Sequence, residues 1–432
     1  MDRWRIIAAI VRSIGLGFMA VPAAMFESSE AFAASREGVA RLTKMAFAGR
    51  DLRPLWHTLM EKVTDDQAGA GIGMDLSVIA QLLGDQPTGL AIQRDVLAYQ
   101  RLFRSPCASR TPSLRLLCLA AQMDMGGNTP VEFLLEDSDI DITTLYVVPG
   151  SPLPDPLPDH DIAFVVAPDD VATRETLALI ETLAPSWPRP LLNRPSAIAQ
   201  LDRDRLYHLL KPVAGLEIPI TARVSRAVLS NIASVADLRD VVADAEFPVI
   251  VRPVGSHAGH GLEKLDTAAG IARYLAAHDD AEFFVSRFVN YASPDGLYRK
   301  YRVVCIDGRP YACHMAISEQ WNIWYLNADM ILNAANRAEE AHFMERFDEE
   351  FAARHGLALA ELASRIGLDY LTVDCAESKT GELLVFEADN TAIVHNMDPP
   401  EVFPYKAPQM RKIFKAFEAM LHRRAGAERA AA

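Results

Sequence analysis

The first 130 residues carry apolar side chains at helical spacing. In residues 39–63 and 89–103 an apolar residue recurs at every third or fourth position, which predicts amphipathic helices. Asp75 precedes the apolar run 76–83 and is predicted to cap a short helix there. Few side chains with catalytic chemistry occur in this region. We therefore expect residues 1–130 to form a helical N-terminal region that packs against the rest of the chain or presents a surface to a partner.

A different pattern begins after the helical region. Short apolar runs at 131–136, 143–150 and 160–168 are bounded by Pro, Gly and Asp, and the helical segment 173–184 follows them. Strands that alternate with helices are typical of a parallel α/β sheet. The sequence therefore predicts an α/β domain over residues 131–215.

The rest of the chain mixes strands, hairpins and helices. One hairpin is predicted to turn at Asp307 and Gly308, a strong turn signal, and a second to turn at Lys-Thr-Gly in residues 379–381. Apolar runs at 247–253 and 282–289 predict two further strands. Helices are predicted at 229–245, 269–278, 335–367 and 410–425.

Length and charge narrow the class of protein. A chain of 432 residues is long enough for two to four packed subdomains. Its formal net charge of −14 argues against non-specific binding to nucleic acid, which needs a basic surface. The five cysteines have no metal-ligand spacing and their odd number does not suggest a disulfide framework. We expect reduced, buried thiols in a cytoplasmic protein that has no nucleic-acid partner.

The N-terminal segment allows two interpretations. Residues 1–26 are apolar with basic residues near the start, and Ala-Phe-Ala at 31–33 is similar to a signal-peptidase site. Arg12 and Pro22 interrupt the apolar run, so that the remaining stretches are too short to cross a bilayer. We favour a cytoplasmic amphipathic helix, with an export or membrane-surface segment as the alternative. No membrane partner is expected.

The most informative motif is a glycine-rich loop after a strand. The apolar strand at residues 247–253 carries a basic residue, Arg252, and a loop comes directly after it. Glycines let a backbone approach a ligand closely, and exposed N–H groups beside a cation can cradle phosphate oxygens. The candidate phosphate contacts are Arg252, Gly255, Ser256, Gly259 and Gly261. Glycine loops also serve as plain turns, so this motif needs support from a second motif in the chain.

About 120 residues downstream, carboxylates lie on a predicted hairpin. Asp374 is on its first strand, and Glu387 and Asp389 end its second strand. Clustered carboxylates of this kind hold magnesium against a nucleotide phosphate. The alternative is three solvated carboxylates, which the strongly apolar flanking strands disfavour. With the glycine loop, they predict a site for a nucleotide phosphate and Mg²⁺.

In the order of these parts the sequence resembles the ATP-grasp superfamily of carboxylate–amine ligases, which includes D-alanine–D-alanine ligase, glutathione synthetase and the glutamyl ligases. The resemblance covers roughly residues 140–420. It implies a fold of class α/β and α+β, in which a parallel α/β pre-ATP-grasp domain is followed by two α+β lobes that clasp ATP. The implied divisions are a helical region at 1–130, the α/β domain at 131–215, a small lobe at 216–290 and a large lobe at 291–432.

The resemblance assigns nucleotide contacts residue by residue. Arg252 stands where the family usually has a lysine, and arginine keeps the charge while adding a bidentate fork. Arg203 or Arg205 matches an earlier family lysine, again as arginine. The strand at 282–289 resembles the hinge strand whose backbone binds adenine; a core strand with no ligand role is the alternative. Its candidate contacts are Ser286, Phe288 and Val289.

The resemblance also assigns reacting and metal-binding groups. Arg302 and Arg252 are the implied catalytic residues, Arg302 facing the transferred phosphate, with a surface ion pair as its alternative. His314 lies where the family often has a basic residue, although a structural role is favoured for it. The implied ligands for Mg²⁺, or Mn²⁺ in its place, are Asp374, Glu387, Asp389 and Asn390. The family usually has asparagine where Asp389 stands.

The implied activity is an ADP-forming ligase that joins a carboxylate to an amine through an acyl phosphate. Its substrates are a small-molecule or peptide carboxylate and an amine; His395 and Asp398 are candidate contacts. The segment with Trp321, Trp324 and Tyr325 lines the acceptor site or belongs to the core. Two alternatives stay open, a small-molecule kinase on the same scaffold and an inactive nucleotide-binding protein. The N-terminal helices are candidates for contacts to a protein partner or to a second copy of the chain.

Overall fold

The computed structural model describes residues 33–64, 69–256, 259–323 and 327–429. The N-terminal segment that could be an amphipathic helix or an export signal lies outside these residues. The first domain is built on a six-stranded sheet with the order β1-β2-β4-β3-β5-β6. These strands are β1 (Ala34–Ser35), β2 (Leu102–Arg104), β3 (Arg115–Ala120), β4 (Asp141–Tyr146), β5 (Ile162–Val165) and β6 (Leu191–Leu192).

The central strands of this sheet pair in parallel and are largely buried. β3 pairs in parallel with both β4 and β5, and every residue of β5 is buried. Strands covered on both faces are typical of parallel sheets flanked by helices. The helices of the domain are α1 (Val39–Phe47), α2 (Arg53–Thr64), α3 (Ala70–Leu82), α4 (Gln86–Leu97), α5 (Val131–Leu134), α6 (Arg174–Leu183), α7 (Pro195–Ile198) and α8 (Arg203–Leu210).

The expectation of a purely helical region up to residue 130 is wrong. β2 and β3 both precede that boundary and belong to the α/β sheet, so a division at 131 cuts through the sheet. The predicted helix at 89–103 ends at Leu97, and its last residues form β2 instead. Conversely, the start of the apolar run 131–136 forms the short helix α5. Short apolar runs fit either period, and only the strand partners decide between them.

Asp75 caps a different helix from the one predicted. It lies inside α3 and is 2% exposed. Its carboxylate accepts hydrogen bonds from the backbone N–H of Glu37 at 2.7 Å and of Gly38 at 3.2 Å, at the start of α1. Burial raises the pKa of this carboxyl to about 6, against the opposing effect of the two hydrogen bonds. The acid thus satisfies N–H groups at a helix start that is distant in sequence.

The second unit is a small antiparallel sheet with helices around it. Its strand order is β10-β9-β11-β8, and its core includes the fully buried Tyr274 and Phe283. The strands are β8 (Thr221–Ser225), β9 (Val249–Pro253), β10 (Glu263–Leu265) and β11 (Glu282–Arg287), and the helices are α9 (Arg226–Ser230), α10 (Val235–Val241) and α11 (Ala268–Ala277). The glycine loop connects β9 to β10.

The third unit carries the carboxylate hairpin. Its sheet has the order β13-β12-β14-β15-β7. The strands are β7 (Leu216–Glu217), β12 (Tyr298–Ile306), β13 (Arg309–Ser318), β14 (Tyr370–Glu377) and β15 (Leu383–Asp389), and the helices are α12 (Ala334–Glu345), α13 (Phe351–Ile366) and α14 (Lys406–Arg429). Asp307 and Gly308 both have positive φ, as a two-residue hairpin turn requires. The expected fold class, an α/β domain followed by two α+β lobes, is confirmed.

Two further expectations concern cysteines and membranes. All five cysteines are free, and four of them are buried. Among the described residues, we find no helix with the length and apolar character that a membrane crossing requires.

Asn193 joins the first domain to the carboxylate hairpin. It is fully buried and has a φ of 49°. Its side-chain oxygen accepts the N–H groups of Asp369 at 2.9 Å and Tyr370 at 3.0 Å, and its amide donates to the Tyr370 carbonyl at 2.8 Å. These three hydrogen bonds fix the start of β14 and therefore the position of Asp374, which this strand carries.

We expect Asn193→Ala to lower the free energy of unfolding by about 2–4 kcal/mol, because three buried backbone groups lose their partner and alanine is strained at positive φ. Thermal unfolding followed by circular dichroism measures the loss. Asn231→Ala is the matched control, since Asn231 is exposed and its side chain makes no hydrogen bond to any described residue. Equal unfolding temperatures for the two variants would contradict this account of the joint.

Candidate active site

Ionisable side chains, three of them charged, form a row across four adjacent strands of the third unit. Cα pairing places His314 of β13 opposite Arg302 of β12, Arg302 opposite Asp374 of β14, and Asp374 opposite Glu387 of β15. Directly opposed residues in antiparallel strands project from the same face of a sheet. Register therefore assembles a row of histidine, arginine and two carboxylates from segments that are up to 85 positions apart.

Asp374 lies in the middle of the row with two cations on it. Its side chain is 2% exposed. Arg302 donates to it twice, from Nε to Oδ1 at 2.7 Å and from Nη2 to Oδ2 at 3.0 Å, and Lys300 Nζ lies 2.7 Å from Oδ2. Burial favours the neutral acid, but the charges of Arg302 and Lys300 outweigh it and hold the pKa of Asp374 well below its usual range. The carboxylate is therefore ionised.

Glu387 is held by an arginine from the first domain. Arg203, the first residue of α8, forms an ion pair with its Oε2. Burial favours the neutral acid, but the charge of Arg203 opposes it and is the strongest effect among the neighbouring residues. The pKa of Glu387 is therefore lowered. Of the two arginines that the sequence offered as alternatives, the structure brings Arg203 to the site. Arg205 instead pairs with Asp169 and is 43% exposed.

Arg252 enters the site from the glycine-loop strand β9. It is 8% exposed, and its Nε donates to Ser256 Oγ at 3.1 Å. Burial and the nearby charge of Arg203 lower its pKa to about 10, while Glu387 acts in the opposite direction. Arg252 stays protonated at neutral pH, but its charge is poorly compensated. An anion that approached Arg252 and Arg203 together would relieve this.

The balance of charge at the site is positive. Three carboxylates, those of Asp374, Glu387 and Asp389, face four cations, those of Lys300, Arg302, Arg203 and Arg252. The chain as a whole has a net charge of −14. A local excess of cations in an acidic protein focuses the field and attracts an anionic ligand. Phosphate is the anion that arginine forks and lysine ammonium groups commonly bind.

The remaining predicted metal ligands are oriented differently. Asp389 Oδ1 accepts the N–H of Thr391 at 2.7 Å and its hydroxyl at 2.9 Å, and burial raises its pKa. Asn390 is 1% exposed, and its amide donates to the carbonyl of Ala167 at 3.0 Å. Thr129 completes this joint by donating to the Asn390 carbonyl at 2.7 Å. The structure therefore keeps Asp389 beside the row and directs the Asn390 amide into the first domain.

The carboxylates of the row do not converge on a ready-made coordination sphere. Over the part of the chain that the structure describes, the one trio of metal-capable side chains with ligand atoms within 4.8 Å of one another is Asp139, Glu418 and His422, on the surface. In the row, both oxygens of Asp374 are engaged by protein cations instead.

The glycine loop has the conformation that its sequence predicts. Gly255, Gly259 and Gly261 have φ values of 77°, 75° and 63°. At Gly261 a Cβ would also lie 2.6 Å from Pro253 Cδ, so only glycine fits there. Ser256 turns back, and its hydroxyl donates to the Pro253 carbonyl at 2.8 Å. It therefore positions Arg252 in this structure. Residues 257 and 258 lie outside the described residues.

The predicted hinge strand is followed by an aromatic side chain, Phe288, that contacts the segment after β13. The Phe288 ring packs edge-on against Trp321 with centroids 5.5 Å apart, and Lys264 Nζ lies 5.0 Å from its centroid. Ser286 is half-buried in the middle of the small sheet, opposite Ile250 and Thr221. Val289 packs beside Tyr291 and Leu384 in a small apolar cluster. Trp324 and Tyr325 lie outside the described residues.

The segment after β15 brings the first domain close to the row. The His395 ring lies between Phe47 and Phe133, with centroids 6.0 and 6.3 Å away. Its Nδ1 accepts the N–H of Met397 at 3.1 Å. Burial lowers its pKa, and the charges of Lys406 and Arg302 add to this against Asp398. His395 is thus a neutral ring within electrostatic reach of the row, in a wall that the first domain helps to form.

Sequence reasoning missed Lys300. The motif Arg-Lys-Tyr-Arg drew attention to Arg302, yet residues two apart on a strand share a face. If Arg302 faces the carboxylates, Lys300 must do so as well. His314, also on the row, has its pKa held well below 6.5 by burial and by the Arg302 charge. It is therefore neutral and adds no charge to the site.

No known family model matches the chain, and no curated protein matches it. The chain is similar to solved structures of ligases. One is D-alanine–D-alanine ligase from Bacillus anthracis complexed with ATP, at 13% identity and a TM-score of 0.46, covering 73% of this chain and 100% of that one. Another is VanG D-Ala:D-Ser ligase from Enterococcus faecalis, at 14% identity and a TM-score of 0.43, covering 72% of this chain and 100% of that one.

A third is the ATP-grasp ligase PsnB complexed with precursor peptide PsnA2 and AMPPNP, at 16% identity and a TM-score of 0.41, covering 72% of this chain and 99% of that one. At such identities and scores, conclusions about chemistry rest on the side chains of the site.

Proposed function

We propose that this protein is an ADP-forming ligase that uses ATP and a divalent metal to join a carboxylate to an amine. The observation that carries the proposal is the charged row. It places two ionised carboxylates in register beside Arg302 and Lys300 of the same sheet and Arg203 of the first domain, with Arg252 of the small lobe close by. The excess of positive charge suits a nucleotide phosphate.

The chemistry of the donor set suits a magnesium ion, although the carboxylates of the row are not drawn together around one point. Asp374 and Glu387 are hard-oxygen ligands on one face, opposite each other in neighbouring strands. The ammonium of Lys300 already shows that a cation is accommodated on Asp374. Asp374 and Glu387 would hold the metal, with Asp389 as a further oxygen donor beside them. When bound, the ion would neutralise charge on the phosphate oxygens.

The reaction follows from the groups that the residues can hold. Arg252 and Arg302 bind and orient the terminal phosphate, so that a substrate carboxylate oxygen attacks its phosphorus and the bond to the ADP oxygen breaks. The amine nitrogen then attacks the acyl carbon, phosphate leaves, and the amine loses a proton. No protein nucleophile takes part. Burial raises the pKa of Cys305 and Cys313 to about 12, so these thiols stay protonated.

The substrate side of the site lies where the first domain meets the segment after β15. Phe47, Phe133 and His395 form a wall of rings there. Residues of α1 also line an open groove of about 650 Å³, together with Leu135 and Ile140 among others. Small-molecule and peptide substrates both suit this arrangement, and we propose that residues before 131 contribute to their recognition.

The test is a screen of amino acids and short peptides with ATP and Mg²⁺, followed by mass spectrometry and by separate assays for ADP and phosphate. We expect ADP and phosphate to appear together, only when an amine is present, with a product lighter than its two substrates by one water. ADP without phosphate would identify a kinase. Nucleotide binding without turnover in any combination would favour an inactive nucleotide-binding protein.

A further inference from the structure

Lys300 occupies a specific position on Asp374. A carboxylate has about four lone-pair positions on its two oxygens. The side-on fork of Arg302 uses one on each oxygen, through Nε to Oδ1 and Nη2 to Oδ2. Lys300 Nζ approaches Oδ2 as a second partner at 2.7 Å. It therefore holds a position that a metal ion could take without breaking the arginine fork.

Lys300 lies on the face of the sheet that carries both carboxylates of the row. It is two residues before Arg302 on β12, and residues two apart on a strand share a face. Glu387 stands directly opposite Asp374 in the neighbouring strand. A cation bound to Asp374 on this face is in the place where a divalent ion held by the two opposed carboxylates would be expected.

Lys300 is better suited to leave than Arg302. An ammonium on a flexible four-carbon stem is a point charge that keeps its interactions over many orientations, whereas the guanidinium fork is rigid and loses two bonds at once. The side chains of Lys300 and Arg302 are similarly exposed, at 20% and 22%, so the difference between them lies in these bonds, while Asp374 is 2% exposed. Movement of the ammonium towards solvent and an incoming anion is therefore open to it.

We propose that Lys300 is a resident counter-ion that stands in for the divalent metal at Asp374, and that it moves onto the nucleotide phosphate when metal and nucleotide bind together. This inference rests on the proposed function. It implies that the metal binds weakly to the free protein, because the ion must displace a like charge. It also gives Lys300 two partners in turn, Asp374 in the free protein and phosphate in the complex.

The experiment is a titration of the full-length protein with Mn²⁺ in the absence of nucleotide, with free Mn²⁺ measured by electron paramagnetic resonance. We expect Lys300→Met to bind Mn²⁺ at least tenfold more tightly than the parent, and to bind Mg-ATP several-fold more weakly. Arg365→Met is the matched control, because Arg365 also pairs with a carboxylate, Glu361, but both residues belong to helix α13 and not to the row. It should match the parent in both titrations.

A second substitution locates the ion. Adding Asp374→Asn to Lys300→Met should remove the gain in Mn²⁺ affinity. If Lys300→Met does not fold, Lys300→Gln replaces it, since the amide keeps a donor and removes the charge. If Lys300→Met or Lys300→Gln binds Mn²⁺ no more tightly than the parent, while the parent binds Mg-ATP, the proposed role of Lys300 is wrong but the proposed function stands. A parent that binds neither Mn²⁺ nor Mg-ATP would overturn the proposed function as well.

Discussion

Replacing Glu387 by glutamine is expected to stop turnover while leaving the fold intact. The substitution keeps the shape of the side chain but removes one of the two opposed negative charges that would hold the metal. Loss of metal-assisted charge neutralisation costs several kcal/mol in the transition state, which corresponds to a fall in ADP formation of roughly 100-fold or more. Arg203, the ion-pair partner of Glu387, is 17% exposed, and the amide oxygen of glutamine can still accept a hydrogen bond from it, so the fold is expected to stay intact.

The same variant should retain nucleotide binding. With Glu387 neutral, the four cations of the site face two carboxylates instead of three, so an anion is held at least as well. Coupled ADP assays and ATP titrations measure the two properties separately. Glu382→Gln, on the same hairpin near its turn, is the control and should behave as the parent. Parent-like ADP formation by Glu387→Gln would show that the metal is held elsewhere.

Replacing Arg252 by alanine is expected to have the opposite signature, with ATP affinity lost first. Arg252 is 8% exposed, is oriented by Ser256 and carries a poorly compensated charge. Its removal should weaken ATP binding at least tenfold, about 1.4 kcal/mol or more. Arg252→Lys should retain part of the affinity, since it keeps the charge and loses the fork.

Isothermal titration with a non-hydrolysable ATP analogue and Mg²⁺ measures this loss. Arg239→Ala is the control on the same lobe, because Arg239 is about half exposed and pairs with the exposed Glu246. Unfolding temperatures of all three variants show whether the lobe is intact. If Arg252→Ala binds the analogue as the parent does, this guanidinium serves only to hold Ser256.

The two variants together separate the halves of the site. One lies on the large sheet and is expected to affect rate, and the other lies on the small sheet and is expected to affect binding. A protein that bound nucleotide without catalysis would lose affinity with Arg252→Ala but show no turnover for Glu387→Gln to reduce.

Most elements of the second and third units were predictable from local signals in the sequence. The positive-φ turn at Asp307 and Gly308, the glycines after β9 and the apolar strands around Asp374 were all predictable, because turn chemistry and strand burial are properties of a few neighbouring residues. The same local logic failed near residue 130. There, short apolar runs were compatible with helix or strand, and the wrong choice hid two strands of the first sheet.

The chemistry available to the site was readable from local sequence: a basic strand before a glycine loop, carboxylates on a hairpin, and an arginine on the strand beside them. Which of these groups come into contact depended on the packing of distant segments. Strand register placed Lys300 with Arg302 on Asp374. Helix α8 brought Arg203 rather than Arg205 to Glu387, 184 positions away, and the joint to Ala167 turned the Asn390 amide from the site. These contacts join segments that are distant in sequence. Their free energy cannot be read from the local pattern of residues, because tertiary packing overrides local propensity.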